Sequence, residues 1–360
     1  MTTDHAEHRF DSRPHDPASR LSRRGLLALS AVGLTAATLG GCASTGSADG
    51  GWTAADVPSQ RGRTALVTGG NGHPEGGLSG LGYHVALQLA RAGADVTIAS
   101  RKQARGAEAV RIIRAEVPGA TIRYEPLDLA DLSSVSAFCG RMHEGGRGLD
   151  LLVNNAGVMG RRHREVSVDG FERCMATNVI GHFALTAQLL PLLKQGRSPR
   201  VVWVASLRGA NGELDFSDLQ LARAYDYVNS YDQTKLAMLL LAQEFQRRSQ
   251  DAGLGVTSIA AHPGTARTHI VLDGPGPDSQ EGFRFKNMPF MFRDPAGRAL
   301  SLLYAATDSK AVGGRYYGPA GFGHILGPPG ETPIPERAQD AHAASKLWAA
   351  METLSHQRLA

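Results

Sequence analysis

From residue 63 onward, short runs of β-branched and aliphatic residues alternate with longer segments of helical periodicity, and this alternation limits the chain to few architectures. The strand candidates are 65–68, 95–99, 122–125, 149–153, 201–205 and 256–260, and helical patterns fall at 82–92, 102–116, 131–143, 169–194, 227–250, 295–307 and 336–353. Most strand candidates are nearly continuous apolar runs. A half-exposed strand would alternate polar and apolar residues, whereas a strand covered by helices on both faces need not. The pattern predicts an α/β fold with a doubly wound parallel sheet. A chain of 360 residues could hold two domains, but with a head of about 60 residues set aside the rest fits one large domain, 61–360. No internal repeat breaks it.

The head reads as an address. Residues 1–20 are polar and too poor in apolar groups to build a core. Ser22-Arg23-Arg24-Gly25 then leads into an apolar run, 26–39, shorter than the roughly 20 residues that a membrane span needs. A twin arginine before such a run resembles a bacterial Tat export signal, and Leu39-Gly40-Gly41-Cys42 resembles a lipoprotein cleavage site. That likeness implies a signal peptide at 1–41, a lipidated Cys42, and a flexible tether over 42–60. The expected location is the outer face of the cytoplasmic membrane, with a cytoplasmic enzyme as the alternative if the signal is not used. The competing reading is a chance arginine pair beside an apolar helix packed on the domain.

Composition excludes several other classes. The net charge of +4 is close to balance and gives no reason to invoke nucleic acid. Cys139 and Cys174 join Cys42 as the only cysteines, too few for a disulfide framework and without metal-ligand spacing. No metal is expected.

The first strand candidate runs into Thr68-Gly69-Gly70-Asn71, and a helix begins near Gly82 after Ser79-Gly80-Leu81. Glycines between strand and helix let the backbone approach a pyrophosphate, to which the helix N-terminus offers free N–H groups. Further on come Asn154-Asn155-Ala156-Gly157, then Asn178-Val179-Ile180-Gly181, then Val204-Ala205-Ser206, and Tyr231-Asp232-Gln233-Thr234-Lys235. In this order, at strand ends and on helix faces, the chain resembles the short-chain dehydrogenase/reductase family and its Rossmann fold. The likeness covers about 63–320. Within the family, Ser206-Leu207, 215–219 and Lys235-Leu236-Ala237 resemble the retinol-dehydrogenase-like and protochlorophyllide-reductase-like branch, which handles bulky apolar substrates. One departure stands out: 72–78 are seven residues beyond the family's usual glycine loop, and they bring Glu75 toward a site meant for phosphate.

The resemblance implies that Ser206, Tyr231, Lys235 and Asn178 are catalytic. Tyr and Lys four residues apart share a helix face, and a nearby ammonium is expected to lower a phenol pKa that ordinarily lies near 10. Tyr231 would exchange a proton with the substrate oxygen, Ser206 would hydrogen-bond that oxygen, Lys235 would also reach the nicotinamide ribose, and Asn178 would sit in a proton relay. Tyr227 lies one turn earlier and has no lysine at the fourth place. His182 and His262 are read as packed or surface histidines.

The cofactor residues expected from the same likeness are Gly69, Asn71, Ser79, Gly80, Gly82, Ser100, Arg101, Lys102, Asp128, Asn155, Ala156, Gly157, Tyr231, Lys235, Pro263, Gly264 and Thr268. The second strand ends in Ser100-Arg101-Lys102 with no carboxylate. An acid there would hold a ribose 2′-hydroxyl, whereas Arg suits a 2′-phosphate, so NADP(H) is expected; a solvated basic helix start is the plain alternative. Asp128 could face the adenine or cap a helix, with Asp131 the more natural cap. Substrate contacts are expected from 207–226 and from a lid at 270–294. The partner is a small carbonyl or alcohol, and a homo-oligomer stays open. Two other functions also stay open: reduction of an activated C=C bond, and a non-catalytic NADP-binding sensor or interaction protein.

Overall fold

The computed structural model describes residues 51–359, so the expected signal at 1–41 and the lipidation site Cys42 lie outside the described residues. Eight strands form one sheet: β1 (Thr64–Thr68), β2 (Asp95–Ser100), β3 (Ile122–Pro126), β4 (Leu151–Asn154), β5 (Arg200–Val204), β6 (Thr257–Ala261), β7 (Tyr316–Pro319) and β8 (Pro329–Glu331). Their order is β3-β2-β1-β4-β5-β6-β7-β8, parallel throughout except that β8 runs antiparallel to β7. The six sequence-predicted strands are all present; β7 and β8 are additions.

The helices are α1 (Leu81–Arg91), α2 (Gln103–Glu116), α3 (Leu132–Glu144), α4 (Gly181–Lys194), α5 (Tyr227–Asp251), α6 (Ile270–Asp273), α7 (Gln280–Asn287), α8 (Pro295–Arg298), α9 (Leu300–Thr307) and α10 (Ala341–Ser355). They divide between two cores. On one face α1, α2 and α9 cover Val67, Val96, Ile98, Val153 and Val202. On the other, α3, α4, α5 and α10 cover Leu66, Leu152, Val201 and Trp203. Adjacent residues such as Val201 and Val202 enter opposite cores because successive strand side chains point to opposite faces. Hence the apolar runs are continuous. Helix α10 closes the second core through Trp348, which meets Phe183 edge to face at 5.1 Å, a contact worth about 0.5–1.5 kcal/mol beyond its buried area. The stretch Met175–Lys194 is long and apolar enough to cross a membrane, yet it lies within this core.

The described part of the expected tether is packed on the domain. Trp52 sits edge-on against Tyr304 at 5.5 Å and donates its indole N–H to Asp308 (2.8 Å). Gln60 is buried, and its backbone N–H donates to the Ala92 carbonyl at 2.8 Å. Packing thus begins ahead of residue 61.

The topology fixes where a ligand can sit. Strand order reverses between β1 and β4, and in open parallel sheets the crevice beyond the carboxyl ends of the strands at such a switch is the binding place. Thr68, Ser100, Asn154, Ser206 and Pro263 all stand at or just past those ends.

Candidate active site

Asp226 starts α5 by accepting from the Asn229 N–H (2.7 Å), which places Tyr231 and Lys235 on successive turns. Both are buried, and the Lys235 ammonium lies 5.5 Å from the Tyr231 ring centre. Lys235 Nζ donates to the Val204 carbonyl at the end of β5 (2.8 Å). Ser206, two residues on, begins a short 3-10 turn, its hydroxyl accepting from the Arg208 N–H.

This turn is clamped to the catalytic helix. Arg208 donates both Nε and Nη2 to the Asp232 carboxylate, at 2.7 and 2.6 Å. Glycine at 212 lets the turn lie close, since a Cβ there would stand 2.5 Å from the Asp232 carbonyl. The bidentate pair fixes Ser206 relative to the neighbouring Tyr231. Sequence reading missed this pair; the signal was a carboxylate next to the proton donor, with no way to tell its partner.

Burial decides the charge states. It pushes the Tyr231 phenol up, and the Ser206 hydroxyl acts against that rise. Burial also pushes the Lys235 ammonium down to about 8. The lowering expected from Lys235 is not found: desolvation is the largest influence on the phenol, and it raises it. Burial thus favours the protonated phenol, the state of a proton donor.

Asn178 lies in a wide helical turn, Met175–Ile180, that runs straight into α4. Its side chain is fully committed, with Oδ1 accepting from the Val158 N–H (2.9 Å) and Nδ2 donating to the Val158 carbonyl (2.9 Å) and to Thr234 Oγ1 (3.0 Å). Gly157 joins it to the lysine, because a Cβ there would stand 3.5 Å from Asn178 Oδ1 and 3.6 Å from Lys235 Nζ. His182 is buried, as the packed reading has it, and it also links two parts of the site. Its Nδ1 meets the Asn178 carbonyl and its Nε2 meets Thr68 Oγ1, both at 2.9 Å. Burial holds this imidazole down to about 4. His262 is buried as well, with Nδ1 accepting from the Gly264 N–H (3.1 Å).

The crevice floor is built from the expected residues. Thr68 Oγ1 accepts from the Asn155 and Ala156 N–H groups, both at 2.9 Å, and Asn155 Nδ2 donates to the Thr68 carbonyl at 2.7 Å. Gly69 takes φ +70 and Gly82 approaches so closely that a Cβ would stand 2.4 Å from Asn155 Nδ2 and 2.9 Å from the Gly69 carbonyl. So the two glycine steps parted in sequence by the insertion meet in space. The insertion buds outward: the Gly80 N–H closes its neck on the Gly72 carbonyl (2.7 Å), Glu75 and Leu78 pair across the Gly76-Gly77 turn, and Asn71 stands half-buried at its base. Ser79, almost fully buried, bonds His84 at 2.8 Å.

At the adenosine end, Ser100 is buried with its hydroxyl unpartnered, and Arg101 and Lys102 are exposed. Arg101 stands 4.0 Å from Asp128, whose other oxygen accepts from the Ala130 N–H. Asp131 is the cap of α3. Beyond β6, Pro263 is buried, and Gly264 and Thr268 are half-buried. The lid segment contains α6 and α7, and Tyr227 donates to Glu281 on α7 (3.1 Å), so the tyrosine one turn before the proton donor ties down the lid. Among the described residues no group of three or more His, Cys, Asp or Glu could hold a metal.

A parallel sheet with a glycine-lined crevice at its switch point, and Ser, Tyr and Lys converging beside it, defines a dinucleotide-dependent oxidoreductase. Comparison gives the family. Residues 63–273 match the family model described as short chain dehydrogenase. The chain is 38% identical over 299 residues to polyprenol dehydrogenase of Mus musculus, covering 81% of this chain and 84% of that protein. It is 35% identical over 294 residues to retinol dehydrogenase 13 of Mus musculus, covering 80% and 82%. Among solved structures, an uncharacterised protein from Mycobacterium paratuberculosis has a TM-score of 0.70 at 36% identity, covering 86% of this chain and all of that one. The chain belongs to the short-chain dehydrogenase family, whose members are oxidoreductases that bind NAD(P).

Proposed function

We propose that this protein transfers a hydride between NADP(H) and a bulky, apolar carbonyl or alcohol. The observation that carries the proposal is the buried Tyr231, held beside Ser206 by the Arg208–Asp232 clamp and backed by Lys235. The crevice fits a dinucleotide, since glycines stand where side chains would fill it and Ser100 Oγ is left without a partner. Gly69, Gly80 and Gly82 would hold the pyrophosphate, Ser100, Arg101 and Lys102 the 2′-phosphate, Asn155 to Gly157 the floor, and Pro263, Gly264 and Thr268 the nicotinamide side.

The cofactor supplies or accepts the hydride. In the reducing direction Tyr231 gives its phenolic proton to the carbonyl oxygen while Ser206 donates a hydrogen bond to the same atom. Lys235, whose ammonium is fixed on the Val204 carbonyl, favours the phenolate that is left behind. Oxidation of an alcohol reverses each transfer.

Two observations support an apolar substrate. The lid segment exposes Leu272, Phe283, Met288, Phe290 and Met291, a concentration of apolar surface that marks an interaction site. Polyprenol and retinol dehydrogenases are among the relatives. The twin arginine and Cys42 support export and a lipid anchor as the setting for this chemistry. The test is a screen of NADPH oxidation by the purified protein against long-chain aldehydes, ketones, quinones and enones. Alcohol products from apolar carbonyls are expected. A saturated ketone from an enone would instead establish C=C reduction, and no turnover with any class would leave the binding-only reading.

A further inference from the structure

The loop 72–78 has no counterpart in the usual glycine motif, yet the structure sets it over the first turns of α2, the helix that follows Ser100-Arg101-Lys102. Glu75 pairs there with Arg105 Nη2 at 3.2 Å, and His73 lies near enough to Glu108, one turn further along α2, to act on its charge. Three polar atoms in this neighbourhood are buried without a hydrogen-bond partner: His73 Nδ1, Arg105 Nε and Ser100 Oγ. Buried donors are normally satisfied, and three unmet ones at one end of the crevice, one on the loop and two on the stretch from β2 into α2, point to a missing acceptor. All three can donate, and the flanking Arg101 and Lys102 are cationic, so the acceptor that fits is an anion with several oxygens.

We infer that the inserted loop is part of the cofactor site: His73 and Arg105 complete the pocket for the 2′-phosphate, and Glu75 is the counter-charge that Arg105 gives up when the phosphate arrives. This rests on the NADP(H) reading above. The Glu75–Arg105 pair suits such an exchange, because Glu75 is mostly exposed and surface ion pairs are weak. The carboxylate otherwise competes with the phosphate for the same guanidinium.

The test uses the full chain and calorimetric titration with two probes that differ only at the ribose 2′ position, adenosine 2′,5′-bisphosphate and adenosine 5′-monophosphate. The wild type is expected to favour the bisphosphate. His73→Ala should cut that preference by about tenfold, the scale of one charge-assisted hydrogen bond, with monophosphate affinity unchanged. Glu75→Gln should raise it, a gain that misfolding cannot produce. Preference intact in both variants overturns the inference and leaves the NADP(H) reading standing. A wild type indifferent to the 2′-phosphate overturns both.

Discussion

The two ends of the crevice are finished to different degrees. At the catalytic end the groups that position the reacting side chains have partners: Asn178 uses its whole amide, Lys235 has the Val204 carbonyl, and Arg208 holds Asp232 with two bonds. At the adenosine end Ser100, His73 and Arg105 each keep a buried donor unmet. The reacting groups are therefore placed before anything binds, which serves a step whose rate depends on sub-ångström geometry. On the proposed reading the unmet groups are the selecting ones, and a cofactor lacking the phosphate would leave them unpaired.

The contrast is broken most decisively at Tyr231. Tyr231→Phe is expected to lower kcat by about 10²–10⁴, the usual worth of a general acid, while fluorescence titration finds NADPH binding unchanged. Loss of cofactor binding in step with kcat would mean that the two ends are not separable. Lys235→Met sharpens the stability side. Because the native ammonium titrates at about 8 and the unfolded one near 10.5, the unfolded chain binds more protons between those values. The cost of burying Lys235 is thus fully present below pH 8 and fades as pH rises toward 10.5. That cost is roughly 3 kcal/mol, and losing the bond to Val204 offsets about 1. Denaturant unfolding at pH 7 should show the inactive Met variant about 2 kcal/mol more stable, with the advantage shrinking as pH rises above about 8 and lost before 10.5, where only the missing bond to Val204 counts. The smallest effect belongs to Tyr227→Phe, which removes one lid hydrogen bond worth about 1 kcal/mol or less; KM for an apolar substrate should rise a few-fold with kcat nearly unchanged. Equal losses in the two tyrosine variants would undo the assignment of roles.

The six parallel strands were legible because burial on both faces writes itself as apolar runs. Strands β7 and β8 were not, since Tyr-Tyr-Gly-Pro and Pro-Gly-Glu carry no period and exist only through pairing at the sheet edge. Ser206, Tyr231, Lys235 and Asn178 could be read from their order along the chain. Their supports could not. Arg208–Asp232 and Thr68–His182 join positions 24 and 114 residues apart, and nothing local in either segment announces its partner. The charge states failed for a related reason: a lysine at the fourth place is visible in sequence, whereas the desolvation that raises the phenol belongs to the whole core.

Thr68 carries a single hydroxyl proton, and two acceptors stand within its reach, the Val153 carbonyl at 3.3 Å and His182 Nε2 at 2.9 Å. The Asn155 and Ala156 N–H groups both donate toward its oxygen, and His182 is neutral well above its low pKa. Because the Asn178 carbonyl can only accept, the imidazole hydrogen must sit on Nδ1, which leaves Nε2 bare to receive the threonine proton. The tautomer is thereby dictated by the Asn178 carbonyl one helical turn earlier, and the ring in turn presents a bare nitrogen to a strand end 114 positions earlier.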